Sequence, residues 1–242
     1  MDNISIQNEL DARFPVHPFS HGIGDHNVEN VLVNYLAMSQ AFPYLQSGSQ
    51  AQLILNVIDS DGDVPDAVEL TSVVGNFLAW DETGGHQVVM RNGMADLSKI
   101  LNSRSNFHSN QLRQDIAALL GRDIAPSYSD TTRVYLKSLF DGLADRDHVR
   151  RVAYMVAFEF HAGRMIEALW EALVDTFAVD KDNLLYFKIH VGGDDPAEAY
   201  HIEMTQSLIN KIVTTDEDRR AFLSHVAEAY ALNMNWCQSI KQ

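Results

Sequence analysis

Thiol chemistry is nearly absent from this chain. Cys237 is its one cysteine, so no intrachain disulfide can form and no paired-cysteine motif can be built. Basic residues are also scarce: 18 Lys and Arg stand against 33 Asp and Glu, for a formal net charge of −15. Phosphate backbones and anionic lipid repel such a chain, which argues against nucleic-acid or membrane-surface partners. No apolar run approaches the roughly 18 residues that a membrane span needs. The stretch MDNISIQNELDARF is acidic and lacks an apolar h-region, so it does not read as a signal peptide, and a cytoplasmic location is expected. GxSxG, Walker-type, GxGxxG and CxxC motifs are missing. So are long period-two alternation, internal repeats and any Gly/Pro/Ser-rich linker.

What is present is helical spacing. Val28, Val31, Leu32, Tyr35, Leu36 and Met38 form one wide apolar stripe, which Pro43 should kink or end. SGSQAQLILNVIDS reads as a second helix. The next has Asp63 as a plausible N-cap and Pro65 in its first turn. SNQLRQDIAALLGRD ends on Gly121, a good helix stop. The longest pattern runs from about Arg146 to Phe177. The expectation is one all-α domain over residues 1–242.

Several features attract attention and carry little. DSDGDVPDAVEL resembles a calcium loop, but its glycine stands fourth rather than sixth and its twelfth residue is Leu70, not glutamate. HPFSHGIGDH holds His17, His21 and His26 just before a helix, where turn and cap roles compete with ligation of haem or metal. His108, His148, His161 and His225 read as capping, surface or packing residues, and Cys237 as a small buried one.

Carboxylates on dry helix faces say more, because an ionised acid there costs several kcal/mol unless a metal or an opposite charge compensates. Glu159 falls inside the apolar stripe of the longest helix. Val74 and Leu78 lead by steps of four to Glu82 and then His86, and Asp81 follows Val73 and Phe77 by the same step. His201 lines up with Met204, Thr205 and Leu208, and Glu198 lies one turn before it. Three helices thus offer inward glutamates, two with a histidine at i+3 or i+4, as a carboxylate-bridged iron site requires. The competing reading of each element alone is a buried polar group satisfied by a neighbour.

On four patterns the chain resembles the haem-oxygenase-like dimetal-oxidase superfamily, the CADD-like iron-containing redox enzymes, and most of all a cyanobacterial CADD-like branch. These are HPF before a helix ending QAFPYL, NFLAWDETGG, VAFEFHAGRMIEALW, and YFKIH followed by an acid and a second histidine. The resemblance implies a haem-oxygenase-like (TenA/CADD-like) helical bundle. It implies iron, two ions per chain, with manganese as an alternative. It also implies dioxygen and a small organic substrate, fatty-acid-, amino-acid- or aromatic-like, and a homodimer. It assigns metal ligation to Glu82, Glu159, His190, Asp194 or Glu198, and His201, with His86 as a further candidate. The chain departs from the family where a histidine is usual about seven residues after the first glutamate: Val89 stands there. It departs again where Ala197 replaces a histidine.

In HVGGDDPAEAYH, Gly192 and Gly193 should break the helix that carries His190, and Asp195 and Pro196 should start the next. On one continuous helix His190 and His201 would stand roughly 16 Å apart, too far for one cluster. Tyr35, Phe42, Phe77, Trp80 and Tyr154 are candidates to line an apolar pocket, with plain core packing as the alternative. Rival readings are a haem- or small-molecule-binding protein of the same fold with His21 or His26 as axial ligand, a metal-free relative, and a non-catalytic interaction protein.

Overall fold

α7 (His148–Phe177) is the axis of the molecule. Asp147 starts it by accepting hydrogen bonds from the Val149 and Arg150 amides at 2.9 and 3.4 Å. Its middle is buried on nearly every side, from Arg151 through Phe158 without interruption, so it must be surrounded by other helices. The computed structural model describes residues 2–24, 26–93, 104–192 and 197–242, with the side chains of all but 91, 92 and 197–199. Around α7 stand α1 (Asn3–Arg13), α2 (Val28–Asp59), α3 (Asp66–Glu82), α4 (Gly85–Asn92), α5 (His108–Leu120), α6 (Asp130–Leu143), α8 (Leu185–Val191), α9 (Ala197–Ile212) and α10 (Asp216–Ile240). Among the described residues there is no strand. α10, started by a reciprocal Thr215–Asp218 capping box, makes the broadest contact with α7, and α2 with α3. No helix among the described residues is long and apolar enough to cross a membrane.

Three boundaries differ from the sequence reading. The two helices expected before Asp59 are one: α2 runs unbroken through Pro43. Proline removes one hydrogen bond from a helix interior, and the burial of Leu36, Phe42 and Leu53 on either side of it outweighs that loss. Pro65, not Asp63, occupies the N-cap position of α3. The third matters most for the site. α3 stops at Glu82 and α4 begins at Gly85, so His86 does not continue the α3 face. The chain turns at Gly84, where φ is +75° and a Cβ would lie 2.7 Å from backbone atoms of Asn106. Only glycine meets both conditions. The long helix and the stop at Gly121, with φ +67°, fall where the pattern puts them.

Candidate metal centre

The last turn of α3 ends on two adjacent acids, and successive helical residues point about 100° apart. Asp81 and Glu82 therefore face different partners. Asp81 is 1% exposed, with Oδ2 3.2 Å from His201 Nε2 and Oδ1 3.6 Å from His86 Nδ1. The other ring nitrogen of His201 lies 3.4 Å from Glu159 Oε2. Glu82 places Oε2 3.4 Å from His108 Nδ1 and Oε1 3.7 Å from His190 Nε2. The ligating atoms of Glu82, His108 and His190 all lie within 4.8 Å of one another. Two carboxylate–imidazole groups thus meet at one helix end.

Local structure aims these rings. His190 Nδ1 stands 2.7 Å from the Tyr186 carbonyl one turn back, an acceptor only, so Nδ1 carries the proton and Nε2 faces Glu82 as a lone-pair donor. α8 is held at its start by α5: the Asp115 carboxylate accepts hydrogen bonds from the Leu185 amide at 3.0 Å and the Tyr186 amide at 2.8 Å. α5 opens on His108, two turns before Asp115, and the His108 and His190 rings meet edge-on at 4.6 Å.

The cluster pairs buried acids with imidazoles alone. Burial pushes the Glu82 carboxyl up, and the facing His108 and His190 hold it well below the usual carboxylate range only while they carry protons toward it; a bound metal ion would take the place of those protons. Asp81 Oδ1 and both ring nitrogens of His108 are buried without a hydrogen bond. Three acids and four imidazoles at contact distances, with no Lys or Arg in either group, form a donor set suited to iron, manganese or zinc. The residues present fit a metal.

Of the sequence candidates, the fold gathers Glu82, His86, Glu159, His190 and His201 here. Asp194 lies outside the described residues. Glu198 sits on α9, but its side chain lies outside them too. Sequence reasoning missed His108, which opens α5 as a buried cluster member rather than a mere cap, and it left Asp81 out of the ligand set. Asp81 carried a signal, its step from Val73 and Phe77. His108 carried none, since nothing local says what faces it.

A cavity of about 220 Å³ opens beside the cluster, lined by Glu82, Glu159, His190 and His201 and by apolar side chains of α2, α3 and α7. Tyr35 and Phe42 line it, and Phe42 stacks on Phe158 at 4.0 Å. Phe77, Trp80 and Tyr154 do not line it. Phe77 instead meets the His201 ring edge-on at 6.0 Å and Trp80 leans on His86, while Tyr154 packs against Gly142 and contacts Arg150. His21 and His26 are exposed and also stand apart from the cavity.

His17, His161 and Cys237 form a second buried group within 4.8 Å of one another. Proton placement there opposes a metal. His17 Nδ1 accepts the Phe19 amide at 3.2 Å, which puts the ring proton on Nε2, facing His161 Nε2 at 3.3 Å. A metal at Nε2 would send that proton to a nitrogen already facing an N–H. The pair instead hooks the segment before α2 onto α7. Burial keeps both rings neutral, His17 down to about 3 and His161 well below its ordinary value.

No protein-family model matches the chain, and no curated protein matches it in sequence. Among solved structures it is similar to a domain of unknown function with a haem oxygenase-like fold from Shewanella denitrificans OS217. Identity is 16%, the match covers 98% of this chain and 88% of that one, and the TM-score is 0.59. The protein is an all-α chain of haem-oxygenase-like fold with a histidine–carboxylate group that could hold a metal ion.

Proposed function

We propose that the protein is a non-haem dimetal oxidase or oxygenase. The observation that carries this reading is the pair of carboxylate–imidazole groups diverging from Asp81 and Glu82 beside an apolar cavity. Glu82, His108 and His190 would hold one ion. Asp81, His86 and His201 Nε2 would offer donors to the other, with Glu159 on the opposite ring nitrogen of His201 orienting that ring. Iron bound there would supply the redox chemistry by which dioxygen oxidises an organic substrate. The protein's own residues do the rest. Tyr186 fixes the His190 tautomer through its carbonyl. Thr205 donates to the His201 carbonyl and steadies that turn of α9. Phe42, Leu78, Phe158 and Ile166 exclude water and seat an apolar substrate against the carboxylates. The reading includes a homodimer in the cytoplasm, with dioxygen and a small molecule as its partners.

The test is an anaerobic Fe(II) titration of metal-free protein, then stopped-flow absorbance on mixing with oxygenated buffer. The expected result is two irons per chain and an oxygen-dependent transient that Glu159→Ala abolishes. Absence of stoichiometric iron in the wild type would overturn the reading.

A further inference from the structure

The cavity beside the carboxylates has an uneven polar inventory. Tyr35 and Tyr186 spend their hydroxyls on each other, 3.2 Å apart. Thr205 Oγ1 donates to the His201 carbonyl, and Gln7 is engaged with Asp11 at 2.9 Å. Glu82, Glu159, His190 and His201 belong to the two ligand groups. Ser39 is different. It lines the cavity, is 4% exposed, and its Oγ has no hydrogen-bond partner.

A serine inside a helix usually satisfies its hydroxyl on the carbonyl one turn back. Leaving it buried and unpaired forfeits the hydrogen bonds that water would give it. The main chain adds to this. Pro43, four residues on, lies inside α2 and has no N–H to give to the Ser39 carbonyl. One residue therefore carries a hydroxyl with unused donor and acceptor capacity and a carbonyl without its helical donor. Both sit one turn from the Phe42–Phe158 stack. No Lys or Arg lines the cavity among the described residues. Nothing there except a metal would pair with a ligand carboxylate, and nothing except the metal ligands with an ammonium.

We infer that this cavity takes a neutral, mostly apolar molecule bearing one hydroxyl or comparable donor–acceptor group, which Ser39 receives. This deepens the oxidase reading by naming its substrate class, an apolar alcohol rather than a fatty acid or an amino acid, and it rests on that reading for the cavity's role. The binding itself can be measured without iron, so the two can fail separately.

The experiment is isothermal titration of metal-free full-length protein with 1-octanol, octanoate and octylamine, repeated after loading with Fe(II) under anaerobic conditions. Octanol should bind in both states and more tightly than either charged probe. Ser39→Ala should weaken octanol about fivefold, the equivalent of one neutral hydrogen bond. Ser39→Thr, which keeps a hydroxyl, should restore it. Matching melting temperatures would confirm that both variants fold. Octanoate or octylamine outcompeting octanol in either state would overturn the neutral class, and in the loaded protein tighter octanoate would point to a carboxylate held by the metal. Octanol affinity unmoved by Ser39→Ala would overturn the role of Ser39. If the Ser39-dependent binding holds while iron fails to bind, the ligand class stands and the oxidase reading falls.

Discussion

Asp115 gives the sharpest test of how the site is held together. Its carboxylate is 5% exposed and caps α8 from another helix, accepting the Leu185 and Tyr186 amides at 3.0 and 2.8 Å. Burial pushes its pKa up to about 6 from 3.8, against the lowering effect of those two amides. The sign follows. An acid whose folded pKa is raised contributes stability that is fully present below the unfolded value and is lost as pH rises through the folded one. A rise of that size corresponds to at most about 3 kcal/mol. The substitution Asp115→Asn keeps an acceptor oxygen but removes the ionisable group. In urea titrations the stability difference, wild type minus Asp115→Asn, should therefore fall between pH 4 and pH 7 by up to about 3 kcal/mol. Asp115→Ala also strands two amides, so near pH 4 it should be less stable than the Asp115→Asn variant by about 1–2 kcal/mol. A difference that stays flat or grows with pH would refute the argument, because it would mean that the fold stabilises the ionised carboxylate. Since α8 carries His190 five residues beyond the capped end, Asp115→Ala should also weaken Fe(II) binding, an effect absent in a His190→Ala background.

Three further outcomes follow from the packing. On the proposed dimetal reading, His108→Ala should lower the iron stoichiometry from two to one while sparing the group around Asp81, as read by Fe(II) titration. Gly142→Ala should destabilise by about 1–3 kcal/mol in urea, because the added Cβ would stand 2.0 Å from the Tyr154 ring; an unchanged midpoint would show that Tyr154 can move aside. Cys237 is wholly buried and its thiol is pushed well above the ordinary value by that burial, so a disulfide reagent should leave it untouched until the chain unfolds.

What the sequence could and could not reveal follows from the range of the forces involved. Helix type and the long α7 were legible because 3.6-residue periodicity is a local record of one buried face. Glu159 was legible for the same reason, as an acid inside an apolar stripe. The unbroken α2 was not. A proline's cost is local and visible, whereas the burial that overrides it comes from helices distant in sequence. His86 was singled out on the premise of a continuous helix. It reaches Asp81 by another route: the turn at Gly84 folds α4 back, and close packing against Asn106 admits only glycine there. His108 shows the limit most clearly. Its role depends on α5 lying beside α8, and that docking depends on a carboxylate two turns along α5 finding two amides about seventy residues away. No periodicity encodes such a pairing. A site residue presented by the first residue of a helix is invisible until the helix that faces it is in place.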